Sequence, residues 1–312
     1  MHNIFCNYSI SGSMLFDVKD PLTGEAFSIT RCASCGLGRT ENIPYDLAPY
    51  YPAAYYGGRH GATADFCLQR RIRVINREMG SCKASLNSNR QAPEGGSLLD
   101  VGCGDGSFLL AAKARGWKVV GLERFPDDAQ LKGLAVFSDV SELKPTSGYD
   151  CITLWHSLEH ISEPFKLVEQ LQRVIKPGGK IIVAVPDFGG WQARLFGRYW
   201  LHLDVPRHLW HFTLPVLRGA FKTAGLEVTR TYHQEFEYDL LGWSQSALNA
   251  LFITPNVFFN WLTKKPTHVA KSMLALHIVL GFLFSGVSVP LVWLGSALKR
   301  GGTVIVVGTK HV

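Results

Sequence analysis

The sequence predicts a doubly wound α/β sheet, mostly parallel, with an antiparallel last strand. Three observations predict it. From residue 97 onward, short apolar runs alternate with helical stretches, the pattern of strands joined by crossover helices. The first run ends in a glycine-rich turn, Asp100-Val101-Gly102-Cys103-Gly104-Asp105-Gly106. The final apolar strand, 302–310, comes only after a long apolar insertion, so it must return to a sheet already built.

The elements follow in order. Residues 1–48 are rich in turns, carry Cys6, Cys32 and Cys35, and read as a small ribbon-like segment. Residues 49–96 hold a lid or linker crowded with Tyr and Pro, a basic helix near 65–80 and a polar boundary. The core runs over 97–235. Its strands are expected at 97–102, 118–123, 135–137, 149–156, 180–186 and 225–232. Helices are expected at 108–116, 165–175 and 213–225, the last with Thr213 as N-cap and Gly225 as its stop. Residues 236–301 form an apolar helical insertion, and 302–312 supply the last core strand.

Composition narrows the class. The chain has 312 residues, 46% hydrophobic and 18% charged, enough apolar material for a sizeable core. Its net charge of +7 suits anionic partners. No dense Lys/Arg run or nucleic-acid motif is present, so nucleic acid is not expected as a partner. The first residues lack the pattern of a signal peptide, and seven irregularly placed cysteines do not form a disulfide framework. The expected setting is the cytoplasm.

The glycine turn defines the first candidate site. Its glycines let the backbone turn tightly and approach a ligand. Asp100 decides which ligand. A carboxylate there repels a pyrophosphate and attracts a cation such as an amino group. The third glycine also falls one place early for the dinucleotide fingerprint, because position 107 is Ser. Glu123, closing the second strand, is placed to accept bonds from two ribose hydroxyls. Asp139 and Val140 follow the third strand, where a carboxylate can bond an adenine amino group.

These segments resemble the class I, Rossmann-like methyltransferases that depend on S-adenosylmethionine (SAM). The resemblance lies in LLDVGCGDGSFL (98–109), VVGLE (119–123), YDCITLWHSLEHI (149–161) and LQRVIKPGGKIIVAVP (171–186), in the family's order. It implies SAM as cofactor, held by Asp100, Gly102, Cys103, Gly104, Glu123, Arg124, Asp139, Val140 and Trp155.

Methyl transfer from a sulfonium is an in-line displacement, accelerated largely by positioning. A base helps where the acceptor must lose a proton. His156 is the first choice of base, with shaping of the pocket as its other reading. His160 is expected one helical turn later on the same face, as a second catalytic residue or a residue holding that helix. The segment 200–212 packs three histidines, Arg207 and Asp204 among aromatics. It resembles the D-x-P-R-H-L-x-x-F stretch of a branch acting on glycans and secondary metabolites. Arg207 and His208 are expected either to orient the acceptor or to pin a loop.

Cys32-Ala33-Ser34-Cys35-Gly36 is a knuckle-like turn. In similar methyltransferases a preceding C-x-x-C completes a zinc site. Here Cys6 precedes it, but Ser9 stands where the second cysteine would be, with His2 as a substitute. Zinc on Cys6, Cys32 and Cys35 and a metal-free ribbon both remain open.

Residues 273–298 are almost continuously apolar, long enough to cross a bilayer. A single crossing would separate 302–310 from its sheet. The expectation is a helical hairpin broken at Gly286 and Pro290, in shallow peripheral contact with a membrane. An internal helix pair or a dimer interface is the competing reading.

The functional expectation is methyl transfer, by preference to oxygen, on a small-molecule or lipid-linked acceptor of glycan or secondary-metabolite type. A non-catalytic SAM-binding scaffold and a nicotinamide-dependent oxidoreductase are the alternatives; Asp100 and the glycine spacing oppose the second.

Overall fold

The computed structural model describes residues 12–51, 62–80, 95–124, 131, 133–143 and 148–311. Two sheets organise it. The large sheet contains β4 (Ser97–Val101), β5 (Lys118–Leu122), β6 (Ala135–Phe137), β7 (Tyr149–Trp155), β8 (Ile175–Pro186), β10 (Leu226–Tyr232) and β11 (Thr303–Lys310). Their spatial order is β10-β11-β8-β7-β4-β5-β6. Strands β6, β5, β4, β7 and β8 run parallel. Strand β11 lies antiparallel between β8 and β10. The expected doubly wound sheet with an antiparallel last strand is therefore present. The chain leaves β4 toward β5 on one side and reaches β7 on the other, so a crevice opens at the carboxyl ends of β4 and β7.

Burial explains why the middle strands read as continuous apolar runs. Ile181, Ile182, Val183, Ala184 and Val185 of β8 are wholly buried, as are Val304, Val306 and Val307 of β11. Helices cover both faces. On one, α3 (Pro164–Val174) and α5 (Leu214–Thr223) place Val168, Leu171, Leu217 and Phe221 in the main core. On the other, α1 (Ala62–Glu78) and α2 (Ser107–Lys113) bring Ile72, Ile75 and Phe108 against Trp155. Thr213 precedes α5 but makes no side-chain cap bond, and its buried hydroxyl has no hydrogen-bond partner. Pro215, in the first turn, sets the helix start without that cap.

The second sheet joins β1 (Gly12–Lys19), β2 (Ala26–Cys32), β3 (Gly38–Thr40) and β9 (Trp210–His211). Strand β9 belongs to the segment after β8, so the ribbon is stitched to the core. Arg207 makes the same join with its side chain, as described below.

Between β10 and β11 the chain builds α6 (Phe236–Leu251), α7 (Val257–Leu262) and α8 (Lys271–Ala297). The expectation of a hairpin broken at Gly286 and Pro290 is corrected here. Both residues lie inside one continuous helix. A proline ring presses on the carbonyl four residues earlier, which here belongs to Gly286, whose backbone is the freest to yield. The antiparallel partner of α8 is α6, not a second half of the same run.

Candidate functional site

The glycine-rich loop starts where β4 ends. Gly102, Gly104 and Gly106 all have positive φ, at 75°, 56° and 72°. Two of them face opposite demands. A Cβ on Gly102 would lie 2.5 Å from Cβ of Ser157, so the loop is pressed against the end of β7. A Cβ on Gly104 meets nothing within 4 Å. Its backbone is open to a ligand.

Three acids border that opening. Asp100 is buried in β4, where its Oδ1 accepts a 2.7 Å bond from Thr153 Oγ1 of the neighbouring β7. Burial pushes its pKa up to about 7, while the Thr153 bond and Arg71 pull the other way. A cationic amino group beside it would draw the proton off. Glu123, just past β5, accepts the Gly104 N–H at 2.9 Å through Oε2. Arg124 follows it, and Cys103 lies buried within the loop. Asp139, past β6, accepts the Ser141 N–H at 2.8 Å and caps the short helix Val140–Glu142. Trp155, at the end of β7, is buried between the Phe108 edge and the Arg71 guanidinium. A glycine backbone open to solvent and acids on three adjacent strands fit a cationic, adenosine-bearing cofactor.

His156 follows Trp155 with φ of 52°. This left-handed turn ends the strand, and the helix Leu158–His160 beyond it is a single 3-10 turn. The expected α-helical face shared by His156 and His160 is therefore corrected. The tight turn sends the two rings to different partners. His156 Nε2 lies 2.6 Å from Glu235 Oε2, and its ring stacks on Tyr238 at 3.9 Å and 3°. Arg71 Nε donates to the other Glu235 oxygen at 3.0 Å. Burial opposes charge on His156, but Glu235 and its other neighbours raise its pKa to about 10. Of its two readings, base or shaper of the pocket, the Glu235 carboxylate beside the ring favours the second, because it stabilises the protonated form.

His160 is the opposite case. Burial, followed by His208, lowers its pKa to about 4. Its Nδ1 lies 2.9 Å from the Arg207 carbonyl and 3.1 Å from the Tyr51 hydroxyl. The carbonyl can only accept, so Nδ1 carries the hydrogen and Nε2 the lone pair. His208 repeats the arrangement with Nδ1 donating to the His202 carbonyl at 2.9 Å. The two rings meet edge to face at 4.6 Å. One ligating atom each from Glu159, His160 and His208 lies within 4.8 Å of the others. Both oxygens of buried Glu159 lack a hydrogen-bond partner. Among the described residues this is the group that could hold a proton or a divalent ion.

Arg207 does something else. It is 2% exposed. Its guanidinium donates to Asp204 and Asp20, each at 2.8 Å, and to the Tyr50 and Val205 carbonyls. Of the two readings of Arg207, these bonds favour the pinning one: they tie Asp20, after β1, and the turn near Tyr50 to the core. His202 and His211 are also held neutral by burial, with pKa values of about 4 and about 3.

The sequence profile of the methyltransferase domain matches residues 74–231, half of the chain. The chain belongs to the methyltransferase-domain family. It is 26% identical over 127 residues to the ubiquinone biosynthesis O-methyltransferase of Klebsiella pneumoniae, a match covering 36% of this chain and 52% of that one. An uncharacterized methyltransferase of Mycobacterium leprae is 30% identical over 118 residues, covering 34% of this chain and 44% of the other. The chain spans about half the length of the curated relatives it matches. Among solved structures, a SAM-dependent methyltransferase from Archaeoglobus fulgidus aligns with a TM-score of 0.46 at 16% identity, over 78% of this chain and 93% of that one. Phosphoethanolamine N-methyltransferase 2 of Haemonchus contortus, in complex with SAM, aligns with a TM-score of 0.48 at 15% identity, over 88% of this chain and 62% of that one.

Within this methyltransferase site, sequence reasoning missed Arg71, Glu235, Tyr238 and Tyr51. Arg71 sat in the basic helix without a visible partner, because Glu235 is 164 residues away in the chain. Glu235 follows β10 and Tyr238 opens α6, and neither stands in a motif. Of the cysteine set, Cys32 ends β2 and Cys35 lies in the turn before β3, with Cys32 Sγ 3.1 Å from Ser34 Oγ. Cys6 lies outside the described residues, as do residues 52–57 of the expected lid.

Proposed function

We propose that this methyltransferase uses SAM to methylate an oxygen atom of a small-molecule or lipid-linked acceptor, of glycan or secondary-metabolite type. The observation that carries the proposal is the placement of Asp100, Glu123 and Asp139 at the carboxyl ends of three adjacent parallel strands, beside the open backbone of Gly104. When bound, SAM supplies an electrophilic methyl on a sulfonium. Asp100 would hold the cofactor's amino group, Glu123 its ribose and Asp139 its adenine. On the other side of the crevice, neutral His160 accepts the acceptor's proton at Nε2, and Glu159 and His208 stabilise the charge that follows. His156, clamped by Glu235 and with Nδ1 3.7 Å from Glu159, is the positive charge beside Glu159 and not the base. Preference for oxygen is supported by the O-methyltransferase named among the relatives and by a neutral base, which an alcohol or phenol needs.

Calorimetric titration with SAM tests the cofactor half, with NADH as control and Asp100→Asn and Asp100→Ala beside the wild type. Saturable SAM binding, weakened in both variants, supports it. A folded protein that binds no SAM overturns it. Transfer of labelled methyl from SAM to panels of alcohols, phenols and amines then decides the target atom. Labelling confined to amines would remove the oxygen assignment.

A further inference from the structure

We propose that α8, with α6 behind it, is a binding site for an anionic lipid bilayer, lying flat at the headgroup level. This inference is independent of the reaction chemistry.

The argument starts from polarity turned inside out. A helix on a soluble protein buries its large apolar residues and shows its polar ones. Helix α8 does the reverse. The side turned to the protein carries His277, Gly281, Ser288, Val292 and Gly295. Gly281 lets the Phe258 ring of α7 sit where a Cβ would be, within 2.6 Å of its atoms. Helix α6 turns its own buried polar residues to the core, where Ser246 accepts the Leu201 N–H and Asn249 donates to the Tyr199 carbonyl. The outward side of α8 carries Val279, Leu283, Val287 and Leu294, each at least half exposed, with Phe282 and Trp293 at its margins against α7 and α6. Small and polar residues between helices with large apolar residues outward is how helices pack when their surroundings are hydrocarbon. An interfacial helix ordinarily needs a polar face for water. Here α6 covers that side, so α8 can be apolar nearly all round.

Charge decides between a bilayer and a second copy of the chain. Residues 240–312 contain no Asp or Glu. Their cations include Lys264, Lys265 and Lys271 before α8 and Lys299 and Arg300 after it. Two copies meeting through this face would bring these cations together with no acid in this region to pair them. An anionic headgroup layer pairs them all. Cations at both ends also fix the orientation. At 27 residues the helix is about 40 Å long, and a tip-first insertion would drag Lys264, Lys265 and Lys271 through the hydrocarbon, which strongly disfavours charge. Lying flat keeps both cationic ends among the headgroups. The return to the sheet agrees: Trp191 N–H donates to the Arg300 carbonyl, and Asp187 N–H to that of Gly302, so the end of α8 is held at the core.

The test is flotation of the full chain with two vesicle sets, phosphatidylcholine alone and phosphatidylcholine mixed with phosphatidylglycerol. The wild type should float with the mixed vesicles, bind pure phosphatidylcholine less, and lose the difference in high salt. A Val279→Glu, Leu283→Glu, Val287→Glu variant should bind the mixed vesicles at least about tenfold more weakly, with SAM binding and helical content unchanged. A Lys264→Gln, Lys265→Gln, Lys271→Gln, Lys299→Gln variant should lose the preference for anionic vesicles. Wild-type protein that floats with neither set overturns the proposal, as does flotation unaffected by the glutamates. A concentration-dependent dimer that the glutamates dissociate, with no flotation, assigns the face to a second copy instead.

Discussion

His156 Nε2 lies 2.6 Å from Glu235 Oε2, and Arg71 Nε lies 3.0 Å from the other oxygen of the same carboxylate. One buried acid therefore joins the end of β7 to α1 and to the entry of α6. Replacing Glu235 by Gln leaves two buried cations without their counter-charge. The expected loss is about 3–5 kcal/mol of stability, read as a lower urea midpoint. The pH dependence has a definite sign. Because the folded pKa of His156 is raised to about 10, its contribution is fully present below about pH 6.5 and fades as pH rises through about 10. Glu235 is shifted downward, so its contribution is present above its ordinary carboxylate range and is lost only in strong acid. Urea midpoints of the wild type should fall toward pH 10, and those of Glu235→Gln should not show that fall.

His160→Gln should lower kcat by about 100- to 10,000-fold while leaving SAM affinity within about twofold of the wild type. With its pKa near 4, the ring is neutral across the ordinary range. The kcat profile should therefore stay flat from pH 6 to 8 and decline only in acid. A midpoint near 7 that persists in His160→Gln would assign the base elsewhere.

Asp100 makes SAM binding pH-dependent. Its carboxyl, raised to about 7 by burial, is partly protonated at neutral pH. A cationic amino group favours the carboxylate, so affinity should rise from pH 6 to 8 with release of a proton. Calorimetry in buffers of different ionisation enthalpy measures that proton. Asp100→Asn should bind weakly and without the pH trend. The same shift affects stability: a raised acid stabilises the fold at low pH and withdraws that contribution as pH passes about 7.

Gly102→Ala and Gly104→Ala separate packing from ligand access. Alanine at 102 meets Ser157 and keeps a strained positive φ, so stability should fall by about 1–3 kcal/mol. Alanine at 104 meets nothing in the protein. It keeps a positive φ of 56°, so strain alone should cost about 1–2 kcal/mol, while SAM affinity should fall by about tenfold or more.

Arg207→Ala should act on stability, not on acceptor recognition. It strands Asp20, which is buried, and Asp204, at a cost of about 3–5 kcal/mol in chemical denaturation. Acceptor KM measured on the remaining folded fraction should stay near the wild-type value. A large KM change at unchanged stability would return Arg207 to the acceptor site.

The sequence by itself determined the sheet and the glycine turn at the end of its first parallel strand. Strand period, helix stops and the run from Asp100 to Gly106 are local signals, written within one or two elements. Asp100, Glu123 and Asp139 follow because each closes a strand and parallel strands align their ends. Only the tertiary structure decided the rest. Whether His156 or His160 is a base depends on which charges lie beside each ring, and Glu235 comes from a distant part of the chain. Arg207 looks like a binding residue until Asp20 and Tyr50 are seen to occupy it. The run at 273–298 is apolar in any reading. Which of its faces is covered depended on α6 lying antiparallel to α8, because burial is a property of neighbours and not of the residues alone.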